Sequence, residues 1–185
     1  MNKTIIILVL STLCWSSYAQ SSLSAMIGYD QNTQYYEAYS GIDLTVRYQI
    51  GQVEKIKYGL ALQYDHFQLD VAGIYTSSTS LLSLGLFSEF LPFKLKKIEP
   101  YLSASLAPTY CTAKGEVDFI FFGSAAEKVS FLAGQFSAGI GSRFSMTEHV
   151  ALQIDIRKVI NYSNKFDADG FYNYSCINLG VNFKL

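Results

Sequence analysis

Apolar and polar side chains alternate with period two along much of this chain, the repeat of extended strands with a different environment on each face. Between positions 42 and 50, Ile42, Leu44, Val46, Tyr48 and Ile50 share one face, opposite Asp43, Thr45, Arg47 and Gln49. Ile56, Tyr58, Leu60, Leu62 and Tyr64 likewise oppose Lys57, Gly59, Ala61, Gln63 and Asp65. Val150, Leu152, Ile154 and Ile156 oppose Ala151, Gln153, Asp155 and Arg157, and Ile177, Leu179, Val181, Phe183 and Leu185 oppose Asn178, Gly180, Asn182 and Lys184. A helix would mix these faces. Four more strands are read over about 23–30, 80–91, 100–111 and 129–143, each with turn residues nearby.

The connections then alternate in length. They are long at 31–40, 66–79, 112–128 and 158–174, and short at 51–55, 92–99 and 144–149. Long loops at one end, with short turns and both termini at the other, are the asymmetry of a transmembrane β-barrel. Strands of about 9 to 12 residues match the ~9–11 needed to cross a bilayer at a tilt. The pattern predicts an all-β chain folded as an eight-stranded antiparallel up-and-down transmembrane β-barrel.

A soluble lipocalin-like carrier would also have eight strands, with an apolar interior, and composition separates the two. Charged residues make up 16% of the chain, against about 25% in ordinary soluble domains. The less apolar face reads Ser103, Ser105 and Ala107 in one strand and Ala133, Gln135, Ser137, Gly139 and Gly141 in another. That face is too poor in charge for a water-facing surface and small enough for a cramped lumen. The apolar face is therefore predicted to meet lipid. Asp43, Arg47, Lys57, Asp65, Glu89, Asp155 and Arg157 are predicted to form a structural polar network inside, since eight strands enclose a space that side chains fill. Tyr48, Tyr58, Phe90 and Tyr101 fall near the turn end and Tyr29, Tyr64 and Tyr110 near the loop end, as aromatic girdles at the headgroups would.

Lys3, the apolar run from Ile5 to Leu10, and Ser17 and Ala19 before Gln20 have the form of a secretory signal peptide cleaved near residue 20. Residues 21–185 then form one domain. Cys111 and Cys176 would enter an oxidising compartment, either bridged or as two semi-buried thiols. A formal net charge of −1 and few charges overall exclude a nucleic-acid-binding tail and intrinsic disorder.

With its Ser-Tyr-Ala-Gln cleavage region, its eight-strand rhythm and its closing run from Ile177 to Leu185, the chain resembles the outer-membrane β-barrel domain proteins. These are PorT-like and similar in design to small eight-stranded barrels such as OmpX and the OmpA membrane domain. The final strand departs from their common ending by placing Phe183 two positions before a terminal Leu185. The resemblance implies a location, the outer membrane of a Gram-negative bacterium, and a fold, but no activity. It also implies contact with outer-membrane lipid and with the assembly machinery that recognises such a strand.

Candidate chemistry is sparse. His149 falls in a short turn between Glu148 and Val150. His66 follows Asp65, with Ser77, Ser78 and Ser80 beyond, so an acyl-transfer triad can be drawn for a lipid-modifying enzyme, although no spacing requires it. Asp167-Ala-Asp169-Gly170 lacks the further oxygen ligands and closing Glu of a calcium loop. Neither metal nor cofactor is expected, and no enzymatic activity. Exposed aromatic residues in long loops mark candidate interaction surfaces: Phe119, Phe121 and Phe122 in one, Phe166, Phe171 and Tyr172 in another. Their partner would be an extracellular or surface protein. The reading is a structural or surface-interaction barrel, with a lipid-modifying barrel enzyme and a soluble carrier as alternatives.

Overall fold

The computed structural model describes residues 21–32, 39–71, 75–119, 123–164 and 171–185. The signal-peptide segment, Phe121, Phe122, Phe166 and the Asp167–Gly170 stretch lie outside the described residues. Among the described residues every regular element is a strand: β1 (Ser22–Asn32), β2 (Tyr39–Val53), β3 (Ile56–Val71), β4 (Tyr75–Phe90), β5 (Ile98–Phe119), β6 (Gly123–Ser145), β7 (Val150–Tyr162) and β8 (Phe171–Lys184). Each pairs antiparallel with its sequence neighbours, and β8 returns to β1 from Ser22↔Lys184 to Gln31↔Ser175, closing the barrel.

The alternation read from the sequence sets the faces. Ile42, Leu44, Leu152 and Ile154 point outward, as do Leu84, Leu106, Ile140, Ile177 and Leu179. Leu106 is 67% exposed, which no water-soluble barrel of this size repeats strand after strand. The opposite face is interior and mostly polar.

The turns β2–β3, β4–β5 and β6–β7 lie at the same end as Ser21 and Leu185, which are joined by Leu185 N donating to Ser21 O at 3.0 Å. In the last of these turns the Thr147 hydroxyl accepts from the Val150 amide at 3.0 Å, closing the bend.

At the other end the structure corrects the expected loops. Much of 66–79 and 112–128 is strand: β3 runs to Val71, β5 for 22 residues and β6 for 23. Beyond the membrane-thick belt both faces of a strand meet polar surroundings, so the period-two signal fades although pairing continues. Residues 123–133 of β6 pair with β5 and have no register partner on β7 among the described residues, so the extended sheet ends at β6 on that side, while β4 flanks β5 on the other as far as Tyr75↔Val117. Phe119 is the last residue of β5 and Phe171 the first of β8, not loop residues.

The expectation of a polar lumen holds only in part. Phe67, Leu81, Cys111, Ala133, Val159, Tyr174 and Cys176 form a buried apolar cluster inside the loop-side end, with Phe131 and Tyr172 packed on it. Tyr172, expected in a loop, lies instead on β8 and is half-buried, its ring meeting Phe67 edge-on at 5.5 Å. Cys111 and Cys176 are both free thiols within this cap.

Candidate functional site: the plugged lumen and the outer rim

Below the cap a hydrogen-bonded chain of charged side chains spans the interior. Alternation turns the odd positions of β2 and β3 inward, and strand tilt brings residues distant in sequence to one level. At the turn end Lys57 Nζ meets Glu99 Oε1 at 2.5 Å, and Arg143 Nη1 meets the same oxygen at 3.2 Å. Arg143 also pairs with Glu89, whose other oxygen accepts from Arg47 Nη1 at 3.1 Å. Arg47 reaches Asp155 Oδ2 at 3.3 Å, and Arg157 Nε lies 2.7 Å from Asp155 Oδ1. Arg157 then donates to Asp43 Oδ2 and Thr45 Oγ1, both at 3.0 Å, and to Gln63 Oε1 at 3.1 Å. Gln63 donates to Asp65 Oδ1 at 2.8 Å, and Tyr174 Oη donates to Asp65 Oδ2 at 2.7 Å, tying the network to the apolar cap.

All seven residues singled out for the lumen thus lie along one interior path. Sequence reasoning missed Asp30, Glu99, Arg143, Tyr101 and Tyr174. The signal was available for Arg143, which is in phase with Gln135, Ser137 and Gly141. Tyr101, placed by the sequence reading at the headgroups, is 2% exposed and interior. Its hydroxyl donates to Asp155 Oδ2 at 3.0 Å and accepts from Gln153 Nε2 at 2.7 Å, while Arg143 sits 4.5 Å above its ring. Buried charges are tolerable when each meets an opposite charge, as Lys57, Glu99, Arg143, Glu89, Arg47, Asp155, Arg157 and Asp43 do here, and the arrangement leaves side chains where a conducting path would run.

On the outer face at the loop end, His66 Nδ1 lies 2.9 Å from Ser80 Oγ, its direct cross-strand partner, with Tyr64 stacked at 6.5 Å. Asp65 cannot complete a triad there. As the preceding strand residue it projects to the opposite face, into the lumen. His149 is exposed in the β6–β7 turn, where its carbonyl accepts from the Lys184 amide at 2.8 Å.

A closed eight-stranded wall, an apolar exterior and a filled polar interior together decide the comparison with solved structures. The fold is that of the small outer-membrane β-barrels. Neisserial surface protein A matches with a TM-score of 0.60 and 15% identity over 89% of this chain and 97% of its own. A major outer membrane protein from Thermus thermophilus matches at 0.56 and 12%, over 89% and 99%. Ail, the attachment invasion locus protein of Yersinia pestis, matches at 0.52 and 16%, over 90% and 99%. No family model matches the chain, and no curated protein sequence matches it.

Proposed function

We propose that the protein is a non-enzymatic barrel of the outer membrane of a Gram-negative bacterium, with a structural or surface-interaction role at its loop end. The observation that carries this reading is the unbroken outward belt of Leu, Ile, Val and aromatic side chains around all eight strands, which only a lipid environment shields from water. The filled lumen speaks against transport. The β5–β6 hairpin supports the surface role, because from Gly123 to Phe131 one edge of β6 has, among the described residues, no register partner on β7. Such an edge suits an extended segment of a partner surface protein. The likeness to surface and attachment proteins agrees with this at the level of fold.

The test is fractionation after expression of the full chain in a host with an outer membrane. The protein should sediment with outer-membrane density and resist alkaline extraction. Recovery in the soluble periplasm would contradict the reading and favour a soluble carrier.

A second reading, a lipid-modifying enzyme, is favoured by the His66–Ser80 contact alone. It predicts a lipid-ester hydrolysis lost on Ser80→Ala. The proposed function predicts no hydrolysis by either form.

A further inference from the structure

Under the apolar cap the lumen carries more negative than positive charge. Its buried charged side chains are Asp30, Asp43, Asp65, Glu89 and Asp155 against Arg47, Arg143 and Arg157, five carboxylates to three guanidiniums, an excess of two. The imbalance is local. Toward the turn end Arg47 and Arg143 engage Glu89 and Asp155, and Lys57 engages Glu99. Toward the cap Arg157 is the one buried cation, among the described residues, for Asp30, Asp43 and Asp65.

Two completely buried polar side chains at this level are poorly satisfied: Asp30, whose nearest polar groups are mostly other acids, and Asn178, which has no partner. Asp30 packs among Asp43, Asp65, Arg157 and Cys176, with the Asp65 carboxyl and the Cys176 thiol in hydrogen-bonding reach of it, and no nitrogen donor meets its carboxylate oxygens. Neither the amide nitrogen nor the amide oxygen of Asn178 is bonded. Its Oδ1 lies 1.5 Å from where a Cβ on Gly28 would stand, so glycine there is what admits the amide. Gly28 is the register partner of both Asp43 and Asn178, and Asp30 follows it by two on the same face. Polar groups stripped of water and left unbonded are destabilising unless something fills the gap between them. The donor atoms of Asp30, Asp43 and Cys176 all lie within 4.8 Å of one another, a span that one ion can bridge.

We propose that Asp30, Asp43 and Cys176, with Asn178 Oδ1 as fourth donor, hold one divalent transition-metal ion inside the barrel. Two carboxylates, one thiolate and one amide oxygen form a borderline-soft set that suits zinc better than calcium or magnesium. The ion's two positive charges offset the carboxylate excess, and the Cys176 proton is released to solvent as the thiolate binds. Because the apolar cap closes the lumen above, the metal enters as the barrel folds. Its role is to pin β1, β2 and β8 together across the seam where the barrel closes.

The experiment unfolds the detergent-purified full chain in chelator and refolds it with Zn²⁺, with Co²⁺ or with chelator. Metal content after desalting and the ultraviolet spectrum of the cobalt form are then measured. About one zinc per chain is expected to be retained, with a thiolate-to-cobalt charge-transfer band that is lost in Cys176→Ser and kept in Cys111→Ser. Asp30→Asn should lower the retained metal at least tenfold. Wild-type protein that refolds fully in chelator and takes up no stoichiometric zinc would overturn the proposal and leave protons as the carriers of the missing charge. A cobalt band that survives Cys176→Ser would overturn it equally. The wild-type measurements decide even if a variant fails to fold.

Discussion

Tyr101 and Gly141 face each other directly across β5 and β6, and the phenol of Tyr101 fills the space a side chain at 141 would need: a Cβ there would come within 2.2 Å of Tyr101 Cζ. The glycine lets the ring lie against the wall and deliver its hydroxyl to Asp155. Gly141→Val should push the ring inward and break that bond, an overpacking loss of about 1–3 kcal/mol. The check is the urea midpoint at which the folded band disappears on an unboiled gel. An unchanged midpoint would show that the ring has room to spare.

Arg157 is the hinge of the charge network, in contact with Asp155, Asp43, Thr45 and Gln63. Arg157→Met should cost about 3–5 kcal/mol, because it leaves the buried Asp43 carboxylate without a cationic partner, whereas Asp155 keeps Arg47. Adding Asp43→Asn to the same chain, with both variants refolded in chelator, should recover part of the loss. A double variant less stable than Arg157→Met alone would mean that the two side chains are not coupled as described.

The outward belt makes its own prediction. Leu84 is 59% exposed on the outer face, and on a soluble protein Leu84→Arg would change stability by no more than about 0.5 kcal/mol. In a bilayer the same change should cost about 2–4 kcal/mol. Folding free energy in lipid vesicles distinguishes the two.

Glu54 occupies the β2–β3 turn with a φ of 50°, a left-handed conformation that costs a side-chain-bearing residue about 1–2 kcal/mol. Glu54→Gly should raise the urea midpoint by the equivalent of about 0.5–1 kcal/mol, part of the relief being offset by glycine's greater freedom when unfolded. A lowered midpoint would mean that the Gln52 Nε2 to Glu54 carbonyl bond, 2.7 Å, depends on the glutamate itself.

Much of the wall was legible because its two faces meet different media: at 42–50 and 150–157 the apolar side chains all point to one side. The charged lumen residues were legible for the same reason, since Asp43, Arg47 and Arg157 sit in the polar phase of strands whose other phase is apolar. Their pairing was not. Arg157 meets Asp43 across 114 positions of sequence, a contact set by barrel closure and strand tilt that no local pattern carries. The apolar cap was hidden because Phe67, Val159 and Tyr174 put large apolar groups on the inward phase, against the rule that the rest of the strand follows. The strand extensions were hidden because Ser78, Ser80, Thr112, Lys114, Lys128 and Ser130 replace apolar residues on the outer phase above the belt.

Residues 21–185 contain no tryptophan, the single one in the chain being Trp15, so a tryptophan introduced there reports from its own position. Leu84→Trp and Leu106→Trp, folded into vesicles whose acyl chains carry bromine, should be strongly quenched, and Tyr101→Trp in the lumen should not. Equal, weak quenching at all three positions would contradict a barrel that wears its apolar side chains against lipid.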